Sequence, residues 1–363
     1  MSKQWKVKLA NTCLRLYTKL GSNFKDIHSF DKSREFDRIA IFSTTALGDL
    51  MFNTPAIRAI RERYPAAKIT LVSSYKNGGL VGTSRYFDNV IYWDHKAKDM
   101  LSVICQLRKN RPQLAVILHS KAPYDIITAI FSGCEYLFKD VYKNELIGVD
   151  QWLTGTSVRG RGHLIQRKLD LVGQLGCDTQ NREMFIPIEF PLQQKQPGKI
   201  LVGFQMGASE PLRCWPVSHF VSLAKMVLAR SPDYLIVLIG TPKEQTIERE
   251  FMAGLTVEEQ GRVVSHIGKT TLPQLLAVMK NMDVLVTGDT GPLHLAIALK
   301  TKTVSLFVTA DPQQTGPYQN IECHQVIYVP IESNTLGDEQ RHQPLSIISS
   351  DEVMDRMMKI ITE

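Results

Sequence analysis

Short apolar runs alternate with amphipathic stretches along most of this 363-residue chain. Ile39 to Phe42 is an uninterrupted apolar run, and a helical pattern follows within a few residues. Runs at 38–43, 68–73, 89–93 and 113–118 read as buried strands, and stretches at 52–64, 98–109, 123–131 and 163–175 carry apolar residues at helical spacing. Such alternation predicts a parallel sheet with helices on both faces. The segment PIEFPLQQKQPGK, residues 187–199, holds three prolines, a glycine and polar filler, and reads as a linker. Beyond it the pattern restarts, with strands at 200–205, 234–239, 262–266, 283–287 and 302–307. Helices are predicted at 217–230, 243–253, 271–281 and 291–299, with a last one at 350–361.

The predicted fold class is therefore α/β, with two doubly wound, Rossmann-like domains at 38–186 and 200–363 and the last helix packing back on the first domain. Ligands of such sheets bind outside the carboxyl ends of the strands. With two such domains, the cleft between them is the expected site.

Residues 1–37 stand outside this alternation. Trp5, Leu9, Cys13, Leu16 and Leu20 step by four, four, three and four, which is one face of a helix. Lys3, Lys6, Lys8, Arg15 and Lys19 add positive charge, and no acid appears before Asp26. A basic amphipathic helix can lie on an anionic membrane surface. It can equally pack on its own domain and leave its basic face in water.

Composition narrows the class. Hydrophobic residues make up 44% and charged residues 22%, which is ordinary for a globular chain. Lysine and arginine number 43 against 36 acids, a net charge of +7 with a pI near 9.0. That balance fits an anionic partner such as a nucleic acid, a phosphorylated ligand or a membrane surface, as well as plain solubility. Six cysteines show neither CxxC nor zinc-ligand spacing, so free thiols in a reducing, cytoplasmic compartment are expected. No segment has the apolar length of a membrane span, and the N-terminus lacks the apolar core of a secretory signal.

Several chemistries lack their motifs. No GxGxxG opens a helix after a strand, since Gly160-Arg161-Gly162 lacks both the context and the third glycine. There is no P-loop, no GxSxG elbow and no DxD pair, so no metal is called for. Nucleic-acid-reading motifs are absent and the basic residues are scattered, which argues against a nucleic-acid partner.

Three strand-to-helix junctions carry candidate chemistry. Val284 to Val286 leads into Gly288-Asp289-Thr290-Gly291-Pro292 and then the helix holding His294. Asp289 or Thr290 suits the N-cap and Pro292 the first helical turn, so backbone N–H groups face an anion site fit for phosphate. The same residues also read as a plain turn with a capping aspartate. Gly207-Ala208-Ser209 and Arg213-Cys214-Trp215-Pro216 follow the strand at 200–205. Ser209 can donate to a diphosphate and Arg213 can neutralise it, or Trp215-Pro216 is helix-entry packing beside a surface arginine. Glu244, after the strand at 234–239, can accept from ribose hydroxyls or serve as a first-turn acid favoured by the helix dipole.

Taken together, four blocks resemble glycosyltransferase family 9, the bacterial heptosyltransferases of the lipopolysaccharide inner core. They are LGDLMFNTPAIRAIRERYP, GHLIQRKLDLVGQLG, RCWPVSHFVSLA and GDTGPLHLAIAL…TADPQQTGP, in the family's order over roughly 38–320. The resemblance implies a GT-B fold and inverting, metal-independent transfer of heptose from ADP-heptose, with no cofactor beyond that donor. It implies donor contacts at Ser209, Arg213, Glu244, Asp289, Thr290, Gly291 and His294, with arginine at 213 where lysine is common. It places the catalytic base at Asp49 and acceptor contacts at His119 and Lys121. On this reading Gly48 lets the backbone turn sharply before the base, although Asp49 is also placed to cap the next helix. The implied acceptor is an anionic lipopolysaccharide core, met by a cytoplasmic protein in peripheral contact with the inner membrane. Other readings within the same architecture are a family 9 transferase with a protein acceptor or another nucleotide sugar, and a catalytically silent nucleotide-sugar-binding protein.

Overall fold

A computed structural model describes residues 3–25, 29–141, 148–158, 162–331 and 342–361, so Gly160 and Arg161 lie outside the described residues. The chain divides into two compact units, residues 1–188 and 189–363.

The first unit is built on six parallel strands: β1 (Arg38–Ser43), β2 (Lys68–Ser73), β3 (Asn89–Tyr92), β4 (Leu114–His119), β5 (Tyr136–Val141) and β6 (Gly155–Val158). Their order across the sheet is β3-β2-β1-β4-β5-β6. Its helices of eight residues or more are α1 (Lys3–Lys19), α2 (Leu47–Arg63), α3 (Met100–Asn110), α4 (Tyr124–Phe131) and α5 (Leu164–Gly173). The central strands are buried along their whole length, as β4 shows, because helices cover both faces.

The second unit repeats the plan with β7 (Ile200–Gln205), β8 (Tyr234–Ile239), β9 (Val263–Ser265), β10 (Val284–Gly288), β11 (Lys302–Phe307) and β12 (His324–Tyr328). Its order, β12-β11-β10-β7-β8-β9, is the same topology read from the other edge. The corresponding helices are α6 (Val217–Arg230), α7 (Gln245–Ala253), α8 (Leu272–Lys280), α9 (Gly291–Leu299) and α10 (Ser350–Ile361). In each unit the strand order reverses between the first and fourth strands. That reversal is the topological switch point where doubly wound sheets take their ligands.

Four features differ from the sequence expectations. First, α2 begins at Leu47, so Gly48 lies in the first helical turn and not in a sharp turn before it. Second, β5, β6 and β12 were not predicted, and β5 explains why. Its sequence YLFKDV puts Lys139 and Asp140 in a fully buried strand, where they read as polar interruptions. Lys139 is neutralised by Asp125 at 2.6 Å and Asp140 by Arg167 at 2.6 Å and by Lys168, as buried charges require. Third, α10 contributes Val353, Met357 and Ile360 to the core of its own unit, a packing the sequence did not predict. Trp215 donates its indole N–H to the Ile348 carbonyl at 3.0 Å, just ahead of that helix. Fourth, α1 buries Ala10 and Leu14 in the core of the first unit, beside Phe131 and Trp152. The face predicted to be its apolar side, Trp5, Leu9, Leu16 and Leu20, is solvent-exposed.

The proline-rich segment is partly docked on the second unit. Lys195 pairs with Asp283 at 2.6 Å, and Asn281 donates to the Gln193 carbonyl at 3.0 Å.

Candidate active site

At the first switch point, β1 delivers the chain into α2 and β4 delivers it to His119. Asp49 is the third residue of α2, where its Oδ2 accepts the Ala46 backbone N–H at 3.3 Å. Its other oxygen faces His119 Nδ1 at 3.6 Å, close enough for ionic attraction but longer than a hydrogen bond. Asp49 keeps 28% of its side-chain surface exposed while His119 keeps 5%, so the carboxylate is the part of the pair open to a ligand.

His119 is placed by a bulge. Phe42 pairs with Ile117 but Ser43 pairs with His119, so Leu118 is the extra residue of β4. The Leu118 carbonyl that the bulge leaves over accepts from Lys168. Lys139 donates to the next free carbonyl, that of Ser120, at 3.1 Å. Thr44 closes the other side: its backbone N–H reaches the His119 carbonyl at 2.9 Å and its hydroxyl the Ser120 hydroxyl at 3.0 Å. The Thr44 hydroxyl also contacts the His95 ring, whose pKa burial pushes below the usual histidine value. Lys121, one residue beyond Ser120, is exposed.

At the second switch point, Arg213 donates to Asp289 Oδ2 at 3.1 Å, and the other Asp289 oxygen lies 3.7 Å from His294 Nε2. Asp289 thus holds a guanidinium and an imidazole on its two sides. Arg213 Nε is buried with no acceptor among the described residues, while 20% of the side chain stays exposed, and through that part the guanidinium keeps donor capacity for an anion. Thr290 is the N-cap of α9, but its hydroxyl turns away from the helix to Gln205 Oε1 at 2.9 Å. Thr287 donates to the same oxygen at 2.8 Å. The start of α9 therefore has no side-chain cap, and its dipole faces outward with Gly291 at the first position.

Glu244 joins two loops of this unit. Its Oε2 accepts from Gly207 N–H at 3.2 Å, and its Oε1 from the Thr241 N–H at 2.9 Å and hydroxyl at 3.1 Å. A Cβ at Gly207 would come within 2.5 Å of this carboxylate and one at Gly240 within 2.6 Å, so both positions must be glycine for Glu244 to sit there. Ser209 lies exposed in the loop after β7. Among the described residues no three His, Cys, Asp or Glu side chains are grouped to hold a metal ion.

The predicted residues thus divide between the units. Asp49, His119 and Lys121 stand at one switch point, and Ser209, Arg213, Asp289, Thr290, Gly291 and His294 at the other, with Glu244 at the adjoining loop. Sequence reasoning missed Gln205, which ties Thr287, Thr290 and the Gly207 carbonyl together. A polar side chain closing an otherwise apolar strand was the available signal. It also missed Thr44, Lys139 and Lys168, which hold the end of β4 from beneath.

Two Rossmann-type units in one chain, each with polar chemistry gathered at its switch point, are the domain pair of the GT-B class. The model of glycosyltransferase family 9 (heptosyltransferase) matches residues 157–339, 183 of the 363, and the chain belongs to that family. It is 27% identical over 294 residues to lipooligosaccharide heptosyltransferase 2 of Campylobacter jejuni, covering 78% of this chain and 84% of that protein. Among solved structures, the family 9 glycosyl transferase of Veillonella parvula superposes with a TM-score of 0.75 at 20% identity, covering 91% of this chain and 98% of that one. The E. coli ADP-heptose lps heptosyltransferase II gives 0.70 at 20% identity, covering 90% and 98%.

Proposed function

We propose that this enzyme moves a heptose from ADP-heptose to the anionic inner core of lipopolysaccharide, with inversion at the anomeric carbon and without a metal. The observation that carries the reading is the Arg213–Asp289–His294 cluster at the uncapped start of α9, on a sheet of Rossmann order. The names of the similar proteins point the same way: a lipooligosaccharide heptosyltransferase in sequence and an ADP-heptose heptosyltransferase in fold.

The chemistry divides between the units. The donor's diphosphate is held by Arg213, by Ser209 and by the N–H groups opening α9, with Glu244 toward the ribose. The partly exposed carboxylate of Asp49 accepts the proton of an acceptor hydroxyl as that oxygen attacks the anomeric carbon. The bond to the diphosphate oxygen breaks, and ADP leaves with its new charge stabilised by Arg213 and the helix dipole. His119 steadies the Asp49 carboxylate, and Lys121 meets an anionic group of the acceptor. The reaction takes place on the cytoplasmic side of the inner membrane.

Incubation with ADP-heptose and defined inner-core acceptors, with and without a chelator, tests this reading. Mass spectrometry is expected to show one added heptose in both conditions, and the product's anomeric proton coupling the inverted configuration. Transfer from a different nucleotide sugar only, or onto protein only, would overturn the substrate assignment. Loss of transfer on chelation would overturn metal independence.

A further inference from the structure

We infer that the solvent-facing side of α1 is a docking surface for an anionic lipid bilayer. Helix α1 has two apolar faces. Val7, Ala10, Leu14 and Tyr17 face the core of the first unit. Trp5, Leu9 and Leu16, at 42%, 55% and 59% exposure, line the opposite side, and Leu20 follows at 86%. Cys13, between them, is exposed as well. Four of the thirteen large exposed hydrophobics among the described residues thus fall on one stripe of sixteen residues. At about 100° per residue they share an arc of about 60°, or about 80° with Cys13.

The polar flank says what covers the stripe. Lys8, Arg15 and Lys19 are exposed and fall along the edge of the stripe away from Lys6, which lies 5.8 Å from the Tyr124 ring. No acid occurs before Asp26. A second copy of this face would bring two basic rows together, a like-charge arrangement that disfavours self-association. Anionic headgroups neutralise the row while the leucines and the indole enter the acyl boundary, which is how an interfacial helix binds. The core-facing side keeps α1 attached to its unit meanwhile, so binding needs no unfolding.

Trp5 provides the readout, since Trp93, Trp152 and Trp215 are buried at 1%, 6% and 3% exposure. The full-length protein is titrated with phosphatidylcholine vesicles with and without phosphatidylglycerol, following tryptophan emission and co-sedimentation. The expected result is a blue shift and sedimentation on anionic vesicles only, with the shift absent in Trp5→Phe. Each basic side chain near an anionic surface strengthens binding about fivefold, so Lys8→Gln, Arg15→Gln and Lys19→Gln together are expected to weaken it on the order of a hundredfold. Leu9→Ser with Leu16→Ser is expected to weaken it at least tenfold, with the melting temperature unchanged because both residues are exposed. Equal binding to neutral vesicles, unchanged affinity in either variant, or a concentration-dependent dimer that these leucine changes abolish would overturn the inference. None of these measurements depends on turnover, so the outcome stands apart from which sugar is transferred.

Discussion

Asp49 combines two roles that its position alone does not separate. As the third residue of α2 it accepts the Ala46 N–H, and as the exposed half of the Asp49–His119 pair it is placed for the proposed role of general base. Asp49→Asn keeps the shape and an amide oxygen for the Ala46 N–H but removes the basicity. The proposed general base predicts a fall in kcat of about 10²–10⁴ with ADP affinity preserved. Loss of a first-turn charge costs about 0.3–1 kcal/mol of stability, a small shift in melting temperature. Turnover close to that of the unchanged enzyme would leave Asp49 a capping residue only. Arg213 is tested through binding. Its guanidinium touches Asp289 at 3.1 Å and a fifth of its side chain stays exposed. Arg213→Ala is expected to weaken ADP binding by about 1.5–3 kcal/mol, the scale of a charge-assisted hydrogen bond. Calorimetry showing equal affinity would remove it from the donor site.

At the scale of elements, the strands that escaped prediction are those in which tertiary partners license polar residues. In β5, burial by itself would raise the Asp140 carboxyl, yet Lys168 and Arg167 hold it below the usual carboxylate range. Lys139 and Asp125 are both fully buried, so neither tolerates loss of the other. Lys139→Met is expected to destabilise the first unit by about 3–5 kcal/mol, because Asp125 is left buried and unpaired. A melting temperature within a degree or two of the parent would show that the pair contributes little. In β12, burial lowers His324 to about 4 from an ordinary 6.5, with its Nδ1 2.9 Å from the Thr303 hydroxyl. Below about 6.5 the unfolded chain binds a proton that the folded strand refuses, so stability is present above that pH and lost as pH falls toward 4. The loss attributable to this histidine reaches about 2 kcal/mol by about pH 5. Urea unfolding of the parent and His324→Gln between about pH 7 and about pH 5 checks it, and parallel slopes would discount the residue.

For the whole molecule, the division into residues 1–188 and 189–363 makes the second unit a candidate for independent folding. A fragment of 189–363 is expected to fold and bind ADP, because Arg213, Asp289, Thr290 and His294 all belong to it. A fragment stopped near residue 345 is expected to fail, because it lacks Val353, Met357 and Ile360, which complete that unit's core. Circular dichroism and ADP titration of the two fragments decide this. Equal folding of both would mean that α10 is dispensable.

The sequence by itself determined the repeating strand–helix order, because a buried parallel strand must be apolar throughout and its helix amphipathic, and both patterns are local. It also marked the junctions after β7, β8 and β10 as chemical, since glycines, acids and prolines cluster there, while His119 and Lys121 after β4 came from the family resemblance. Only the tertiary structure decided which of these residues meet. Asp289 takes Arg213, Glu244 takes the Gly207 loop, and Asp49 takes His119, pairings across tens of residues that no local pattern encodes. Buried Lys139 and Asp140 stayed illegible for the same reason: their neutralising partners lie 14 and 27 or 28 residues away along the chain. Helix α1 shows the limit most plainly. Periodicity found its most regular apolar face, but the sheet needed the other one, because burial goes to the face that the neighbouring α4 and the Trp152 segment can cover.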